Sequence, residues 1–198
     1  MNWKNTSSRY GTLPIAMHWL MLVLLIGVYA TINLHELFPK GSELRAVFKT
    51  WHFMLGLSVF VLVGARLAIG FLSGPAPRIE PEDPAGQRRL AAIVHVALYV
   101  FMIGMPLLGW FAMSAKGDPV MFFGAQLPAL IGPDKGLYDS LKEIHEAIGT
   151  FGYYLIGLHA AAALFHHYVL RDNALVHMLP SLRRIHASRS SVPRRSVG

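Results

Sequence analysis

Apolar residues are not spread evenly along this chain but form four long runs that contain no charged side chain. A helix needs about 20 apolar residues to span a bilayer, and three of the runs reach that length. The second run becomes long enough if Arg66, which follows it, extends its charged head towards the lipid headgroups. The pattern therefore predicts four transmembrane helices. The uncharged runs are residues 13–34, 50–65, 90–115 and 147–170.

The expected fold is all-α, an integral membrane four-helix bundle that forms a single domain over residues 1–180. Its helices are predicted at about 12–35, 47–72, 88–115 and 143–171. Composition agrees, since 54% of the 198 residues are hydrophobic and only 15% are charged. Soluble domains contain about 25% charged residues. Residues 181–198 are rich in Ser and Arg without apolar periodicity, which predicts a basic, disordered cytoplasmic tail.

The distribution of basic residues predicts which end of each helix faces the cytoplasm. Lys and Arg are more frequent in the N-terminal segment, the second connection and the C-terminal tail than in the other two connections. By the positive-inside rule, both termini are then cytoplasmic. The net charge of +7 follows from this asymmetry and does not indicate nucleic-acid binding. The first run is too long for the apolar core of a signal peptide, so we interpret it as a retained helix.

Ten histidines and no cysteine limit the chemistry that is available inside the membrane. The chain has no thiolate for an iron–sulfur cluster, no attachment point for c-type haem and no disulfide. A polar side chain in lipid is costly, and such residues usually face the bundle interior and serve a function. The histidines in or beside the apolar runs are His18, His52, His95, His145, His159, His166 and His167.

Two histidines of the fourth run, His145 and His159, are fourteen residues apart. That spacing is close to four helical turns, so both side chains lie on one face, about 21 Å apart along the axis. This geometry suits two stacked redox centres, each a haem held between two histidines. Because neighbouring helices run in opposite directions, His52 lies level with His145 near the outer face, and the two pair without competition.

At the inner side the spacing leaves the two ligands open. His18 and His95 both lie about 8 Å into their helices, at 1.5 Å per residue. His159 and His166 face them from the fourth helix, and His166 lies two turns below His159 on nearly the same face. Spacing alone does not decide which two of these four histidines bind iron.

Several short segments carry a resemblance to a known family. They are DSLKEIHE at 139–146, GLHAAAALFHHY at 157–168, Asp172-Asn173, His18-Trp19-Leu20, Phe38-Pro39, and His52 followed by Gly56. These segments are similar to those of the bacterial di-haem cytochrome b561 family, and within it to the superoxide oxidase type. The resemblance covers about residues 9–180.

The resemblance implies two non-covalent haem b groups with a fixed ligand plan. In this family a histidine of the first helix and one of the fourth hold the inner haem, which here implies His18 and His159. A histidine of the second helix and one of the fourth hold the outer haem, which here implies His52 and His145. No ligand role is implied for His95.

The resemblance further implies an oxidoreductase of the bacterial inner membrane that oxidises superoxide to dioxygen at the periplasmic side. Electrons then pass through both haems to ubiquinone, with no required protein partner and with membrane lipid as the surroundings. Ubiquinone is expected near the inner haem, where His166 is the first candidate to bind it and His167 and Arg171 are further candidates. The loop lysines that are candidates for attracting superoxide, among seven acidic residues, are Lys40, Lys49, Lys116, Lys135 and Lys142.

Two other functions fit parts of the pattern. A cytochrome b subunit that carries electrons between a docked dehydrogenase or hydrogenase and quinone would use the same haems. The modest loops and the near-complete similarity to the stand-alone type favour superoxide oxidation over that role. A non-redox transporter or metal carrier would use the histidines alone, but histidine pairs without accompanying acids in the membrane argue against it.

Overall fold

The computed structural model describes residues 4–6, 9–79 and 84–179, and there the chain forms the predicted bundle of four long helices. Each helix is long and apolar enough to cross a membrane. The predicted tail at 181–198 lies outside the described residues. The elements are α1 (Thr12–Glu36), α2 (Glu43–Leu72), α3 (Ala85–Lys116), β1 (Val120–Phe122), β2 (Ala125–Leu127), α4 (Lys135–Phe165), a π-helical turn (His166–Leu170) and α5 (Ala174–Met178).

The four long helices alternate in direction, with α1 against α2, α2 against α3 and α3 against α4. We call the end with the α1–α2 connection and the strands the outer end, and the opposite end the inner end, following the predicted orientation. Hydrogen bonds attach the N-terminal segment and α5 to the bundle at the inner end. The Asn5 amide donates to the Ser73 carbonyl oxygen at 3.0 Å, and Trp19 Nε1 donates to the Met178 carbonyl oxygen at 2.7 Å. They hold the N-terminal segment and α5 against the bundle.

Helix α4 begins at Lys135, well before the apolar pattern predicts. The Asp134 side chain caps it by accepting a hydrogen bond from the Leu137 amide at 2.9 Å. Its first turns are solvated and carry ion pairs at i, i+4 spacing, such as Lys142–Glu146 at 2.7 Å. These polar turns have no apolar signal, so the sequence pattern detected only the part of the helix inside the membrane.

The connection between α3 and α4 contains a hairpin that the sequence pattern did not predict. Strands β1 and β2 pair antiparallel, with Val120 opposite Leu127. The two turn residues, Phe123 and Gly124, have φ angles of 46° and 88°, as in the two-residue turns that match the twist of paired strands. Strands of three residues are too short for an alternating pattern to show. The fold is thus helical, with one small hairpin at the outer end.

The buried core among the described residues forms two clusters, a larger one between the two ends of the bundle and a smaller one at the outer end, made of Leu57, Met113 and Val120. Large apolar side chains cover the outward faces instead, for example Phe71, which is 87% exposed, and Tyr154, which is 73% exposed. A soluble protein would not leave so much apolar surface uncovered, but lipid covers it in a membrane. The buried residues of the larger cluster are Met21, Val59, Val63, Leu98, Phe101, Met102 and Leu155.

Candidate functional site

The outer end brings together His52 of α2 and His145 of α4, as the depth argument predicts. Their ring centroids are 6.2 Å apart and the rings are inclined by 77°. His52 Nδ1 donates to the Val28 carbonyl oxygen of α1 at 3.0 Å. Because the proton is on Nδ1, the lone pair of Nε2 is available to a metal ion, which is how metal-binding histidines are usually oriented.

His145 has a buried nitrogen that needs a partner. Its Nδ1 atom forms no hydrogen bond within the described part of the chain. Leaving a buried polar atom unpaired costs about 1–3 kcal/mol. Gly109 of α3 makes room for this ring, since a Cβ at that position would lie 3.3 Å from His145 Cε1. The ring is therefore held in place by packing while one of its polar atoms has no protein partner among the described residues.

The inner end brings three histidines to one level. His18 of α1 and His159 of α4 have ring centroids 6.4 Å apart, and His95 of α3 lies 5.2 Å from His159. His18 and His159 are half-buried, whereas His95 is exposed. The sequence predicted that His18 and His95 would lie at similar depth, and the structure shows both beside His159.

Centroid distances test whether a haem iron fits between these rings. Two imidazoles that bind one metal ion from opposite sides have centroids about 6.2 Å apart. This value combines two metal–nitrogen bonds of about 2.0 Å with about 1.1 Å from each nitrogen to its centroid. The His52–His145 and His18–His159 distances of 6.2 and 6.4 Å fit that requirement. The His95–His159 distance of 5.2 Å is too short for it.

The region between the two histidine pairs is densely packed around Gly152, which sequence analysis missed. Gly152 is seven residues from both His145 and His159, and a Cβ there would overlap the Tyr29 hydroxyl and the Phe101 ring. The Tyr29 hydroxyl donates to the Gly149 carbonyl oxygen at 2.8 Å. The midpoint spacing was visible in the sequence, but only the structure shows which side chains meet this glycine.

At three other glycines near the histidines, a larger side chain would not collide with any described residue. A Cβ at Gly56, Gly104 or Gly157 would meet no atom within 4 Å in the described residues. Gly56 is one turn after His52, so a small residue there suits a flat group lying beside that ligand. Small residues in membrane helices also serve close helix packing, but these three glycines do not show such contacts.

Arg66 lies inside the inner end and does not extend freely towards the headgroups as predicted. Its Nε donates to the Tyr99 hydroxyl at 3.3 Å, and its Nη1 is buried without a hydrogen-bond partner among the described residues. It lies close enough to interact electrostatically with His18 and His159. A buried guanidinium with an unpaired nitrogen fits an anionic group such as a haem propionate.

The quinone candidates lie on the π-helical turn that follows α4. His166 lies on this turn two helical turns beyond His159. Its Nδ1 lies 2.6 Å from Asp172 Oδ2. His167 has a buried Nδ1 without a hydrogen-bond partner in the described chain, and Arg171 is exposed with a φ of 59°. Sequence analysis did not identify Asp172 as a site residue, because the π turn changes the helical periodicity on which it relied.

The outer surface shows little of the cationic funnel for which the lysines were candidates. Lys116, Lys135 and Lys142 each form an ion pair with an acidic neighbour. Lys49 is different, because its Nζ lies 5.6 Å from the centre of the Phe53 ring, and it is one turn before His52. Lys49 and Lys142 are each three residues before an outer histidine, and of these two only Lys142 forms an ion pair within the described part of the chain.

A metal carrier that uses these histidines would need a cluster of side chains able to hold the ion. Within the described residues there is no group of three or more His, Cys, Asp or Glu side chains that could hold a metal ion. The histidines come together at two levels of the bundle, and the pairs at those levels have the separation that a haem requires.

Comparison with known proteins agrees with this arrangement. A family model described as prokaryotic cytochrome b561 matches residues 9–181. Cytochrome b561 homolog 1 of Escherichia coli (strain K12) is 36% identical over 173 residues, which cover 87% of this chain and 98% of that protein. A Yersinia pestis protein named probable superoxide oxidase CybB is 35% identical over 175 residues, covering 88% and 98%. The chain therefore belongs to the prokaryotic cytochrome b561 family, membrane electron-transfer proteins of the bacterial inner membrane, and the family implies haem b as its cofactor.

Proposed function

We propose that this protein is a superoxide oxidase that transfers electrons from superoxide at the outer side to ubiquinone near the inner side. Two superoxide ions lose one electron each and become dioxygen, and one ubiquinone gains two electrons and two protons to become ubiquinol. The similarity to a relative named probable superoxide oxidase supports this activity. The observation that carries the proposal is the presence of two histidine pairs, at 6.2 and 6.4 Å, at two levels of the bundle.

The proposal assigns His52 and His145 as the outer haem ligands and His18 and His159 as the inner ones. Each haem, when bound, supplies a one-electron redox centre. The protein holds its ligands by the His52–Val28 hydrogen bond and by the space that Gly109 leaves beside His145. Arg66 supplies positive charge at the inner site, which suits a propionate. A haem held by two histidines at either level would supply electron transfer alone.

The apolar packing between the histidine pairs suits a protein that transfers electrons across the membrane. Phe101 and Leu155 are buried there, and Tyr29 is fixed by its hydrogen bond to Gly149. Close apolar packing of this kind would disfavour water between the two histidine pairs. Electrons cross this region, and protons are taken up at the inner end, where the quinone is reduced.

The quinone is proposed to bind beside His166, with His167 and Arg171 as neighbours. His166 is held by Asp172 at the inner end of α4, on the side where cytoplasmic protons are available. A histidine suits proton transfer near neutral pH because its charge changes in that range. Replacing His166 by Ala should leave both haems in place, keep their reduction by superoxide, and slow ubiquinol formation. Ubiquinol formation at the wild-type rate would mean that the quinone binds elsewhere.

The activity is tested on purified protein with an enzymatic source of superoxide. Superoxide loss should accelerate when ubiquinone is added, and one ubiquinol should form for two superoxide ions removed. The His145→Ala variant is the matched control, since loss of the outer haem should abolish the quinone-dependent part. If superoxide loss does not respond to quinone, the docked cytochrome b subunit becomes the better explanation.

A further inference from the structure

The inner end of α4 contains a histidine–aspartate pair in which the histidine is partly buried and the aspartate is buried. The helix changes from α to π geometry for one turn, His166–Leu170, and ends at Arg171 in a left-handed conformation with φ of 59°. This ending turns the chain back, so that Asp172 lies under the histidine six residues before it. His166 Nδ1 and Asp172 Oδ2 are 2.6 Å apart, a charge-assisted hydrogen bond. Single π turns are often found at functional sites.

Both carboxylate oxygens of Asp172 have defined partners. Oδ2 accepts from His166, and Oδ1 accepts from the Ala174 amide at 3.0 Å, while the Asp172 amide donates to the His166 carbonyl oxygen at 3.1 Å. The residue is only 5% exposed, and its side chain is 1% exposed. A carboxylate this buried is costly unless it is paired and hydrogen-bonded. Three hydrogen bonds therefore set the geometry of the pair.

We propose that Asp172 is a positioning residue that makes His166 the proton donor to the quinone, an inference that rests on the proposed function. The carboxylate keeps a proton on Nδ1, so that Nε2 is the nitrogen that a quinone carbonyl oxygen meets. It also places a negative charge 2.6 Å from the ring, where it attracts the positive charge that the ring carries while it donates a proton.

The proton step balances with the electrons that the proposed activity supplies. The quinone carbonyl oxygen receives electrons at the inner site and forms an O–H bond as the Nε2–H bond of the His166 imidazolium breaks. The imidazole becomes neutral, and water at the inner surface returns a proton to Nε2. Asp172 does not carry this proton, since its function is to hold the ring and to place negative charge beside it.

A purely structural role for Asp172 would be to cap α5 and fix the end of α4. That role uses the carboxyl oxygens as hydrogen-bond acceptors and does not need the negative charge. Asp172→Asn separates the two roles, because the amide oxygen still accepts from the Ala174 amide while the charge is lost. Asp139→Asn is the matched control, since Asp139 forms an exposed ion pair with Lys135 at the outer end.

The experiment uses purified, haem-loaded protein and a short-chain ubiquinol, and follows haem reduction in a stopped-flow spectrometer. In this direction His166 accepts the proton from the quinol, so superoxide is not needed. In Asp172→Asn the maximal rate should fall about tenfold or more, while the half-saturating quinol concentration changes little and the slowing in D2O increases. Asp139→Asn should match the wild type. In a His166→Ala background, Asp172→Asn should have no further effect.

An unchanged maximal rate and an unchanged D2O effect in haem-loaded Asp172→Asn would overturn the proposal. If that variant does not fold, infrared difference spectra of the wild type test the proposal instead. Quinol should perturb the carboxylate band of a labelled aspartate, and His166→Ala should remove that perturbation; an unperturbed band overturns the proposal. Wild-type protein that quinol does not reduce at all would show that the proposed function is wrong, and the role of Asp172 would fall with it.

Discussion

Replacing Gly152 by Ala should destabilise the bundle, although alanine is normally the better helix former. A Cβ at this position would overlap the Tyr29 hydroxyl and the Phe101 ring. Overpacking of this kind costs about 1–3 kcal/mol, whereas Gly→Ala inside a helix gains about 0.5–1 kcal/mol. The free energy of unfolding should therefore fall by about 0.5–2 kcal/mol.

The matched control is Gly64→Ala in α2. A Cβ at Gly64 would meet no atom within 4 Å among the described residues, and the position is exposed. This variant should be as stable as the wild type or slightly more stable, because only the helix preference changes. Both variants are compared by thermal unfolding in the same detergent, followed by far-ultraviolet circular dichroism at equal haem content.

A second substitution identifies the cause of the loss. Phe101→Leu shortens one of the two side chains that meet Gly152, so combining it with Gly152→Ala should cost less than the sum of the two single changes. If Gly152→Ala unfolds at or above the wild-type temperature, the close packing between the two histidine pairs is wrong.

Three further predictions concern the electron path. Lys49→Gln should slow haem reduction by superoxide more than Lys135→Gln, because Lys49 is one turn before His52 whereas Lys135 is 90% exposed and already paired; equal rates in stopped-flow measurements would contradict a role for Lys49. Raising ionic strength should slow the same step in the wild type, since salt screens attraction of an anion; a rate independent of salt would exclude electrostatic steering. Arg66→Gln should lower the midpoint potential of the inner haem by on the order of 50 mV and leave the outer one unchanged, because a nearby positive charge favours the reduced state; redox titration with an unchanged inner potential would contradict this placement.

The apolar pattern predicted the parts of the fold that lie within the lipid bilayer. Runs without charged residues predicted all four transmembrane helices, since the bilayer requires that length and that composition. It did not predict that α4 starts at Lys135 or that Val120 pairs with Leu127, because solvated turns and short strands have no apolar signature. The Asp134 cap and local ion pairs stabilise the start of α4 instead.

The candidate site was predictable where depth along a helix decides it. His52 and His145 are the paired histidines at the outer end, and they meet in the structure as helix direction requires. Depth placed His18 and His95 together at the inner end but did not show which of them could share an iron with His159. That choice depends on the ring distances from His159, which are 6.4 Å for His18 and 5.2 Å for His95. Such differences arise from the rotation and packing of helices, which periodicity does not fix.

The contacts of Gly152 and Asp172 depend even more on tertiary structure. Gly152 is important because side chains from α1 and α3 meet it, and nothing in its own helix indicates that. Asp172 reaches His166 because a π turn and a left-handed residue bend the chain back. Neither feature has a periodic signal in the sequence.

The measurement that tests the central claim most directly is the haem content of His18→Ala and His95→Ala beside the wild type. A pyridine haemochrome assay on purified protein should give two haem b groups per chain for the wild type and for His95→Ala, and one for His18→Ala. The reason is that the His18–His159 separation of 6.4 Å fits an iron between the rings, whereas the 5.2 Å between His95 and His159 does not. One haem in the wild type, or loss of a haem from His95→Ala with both retained in His18→Ala, would contradict the account.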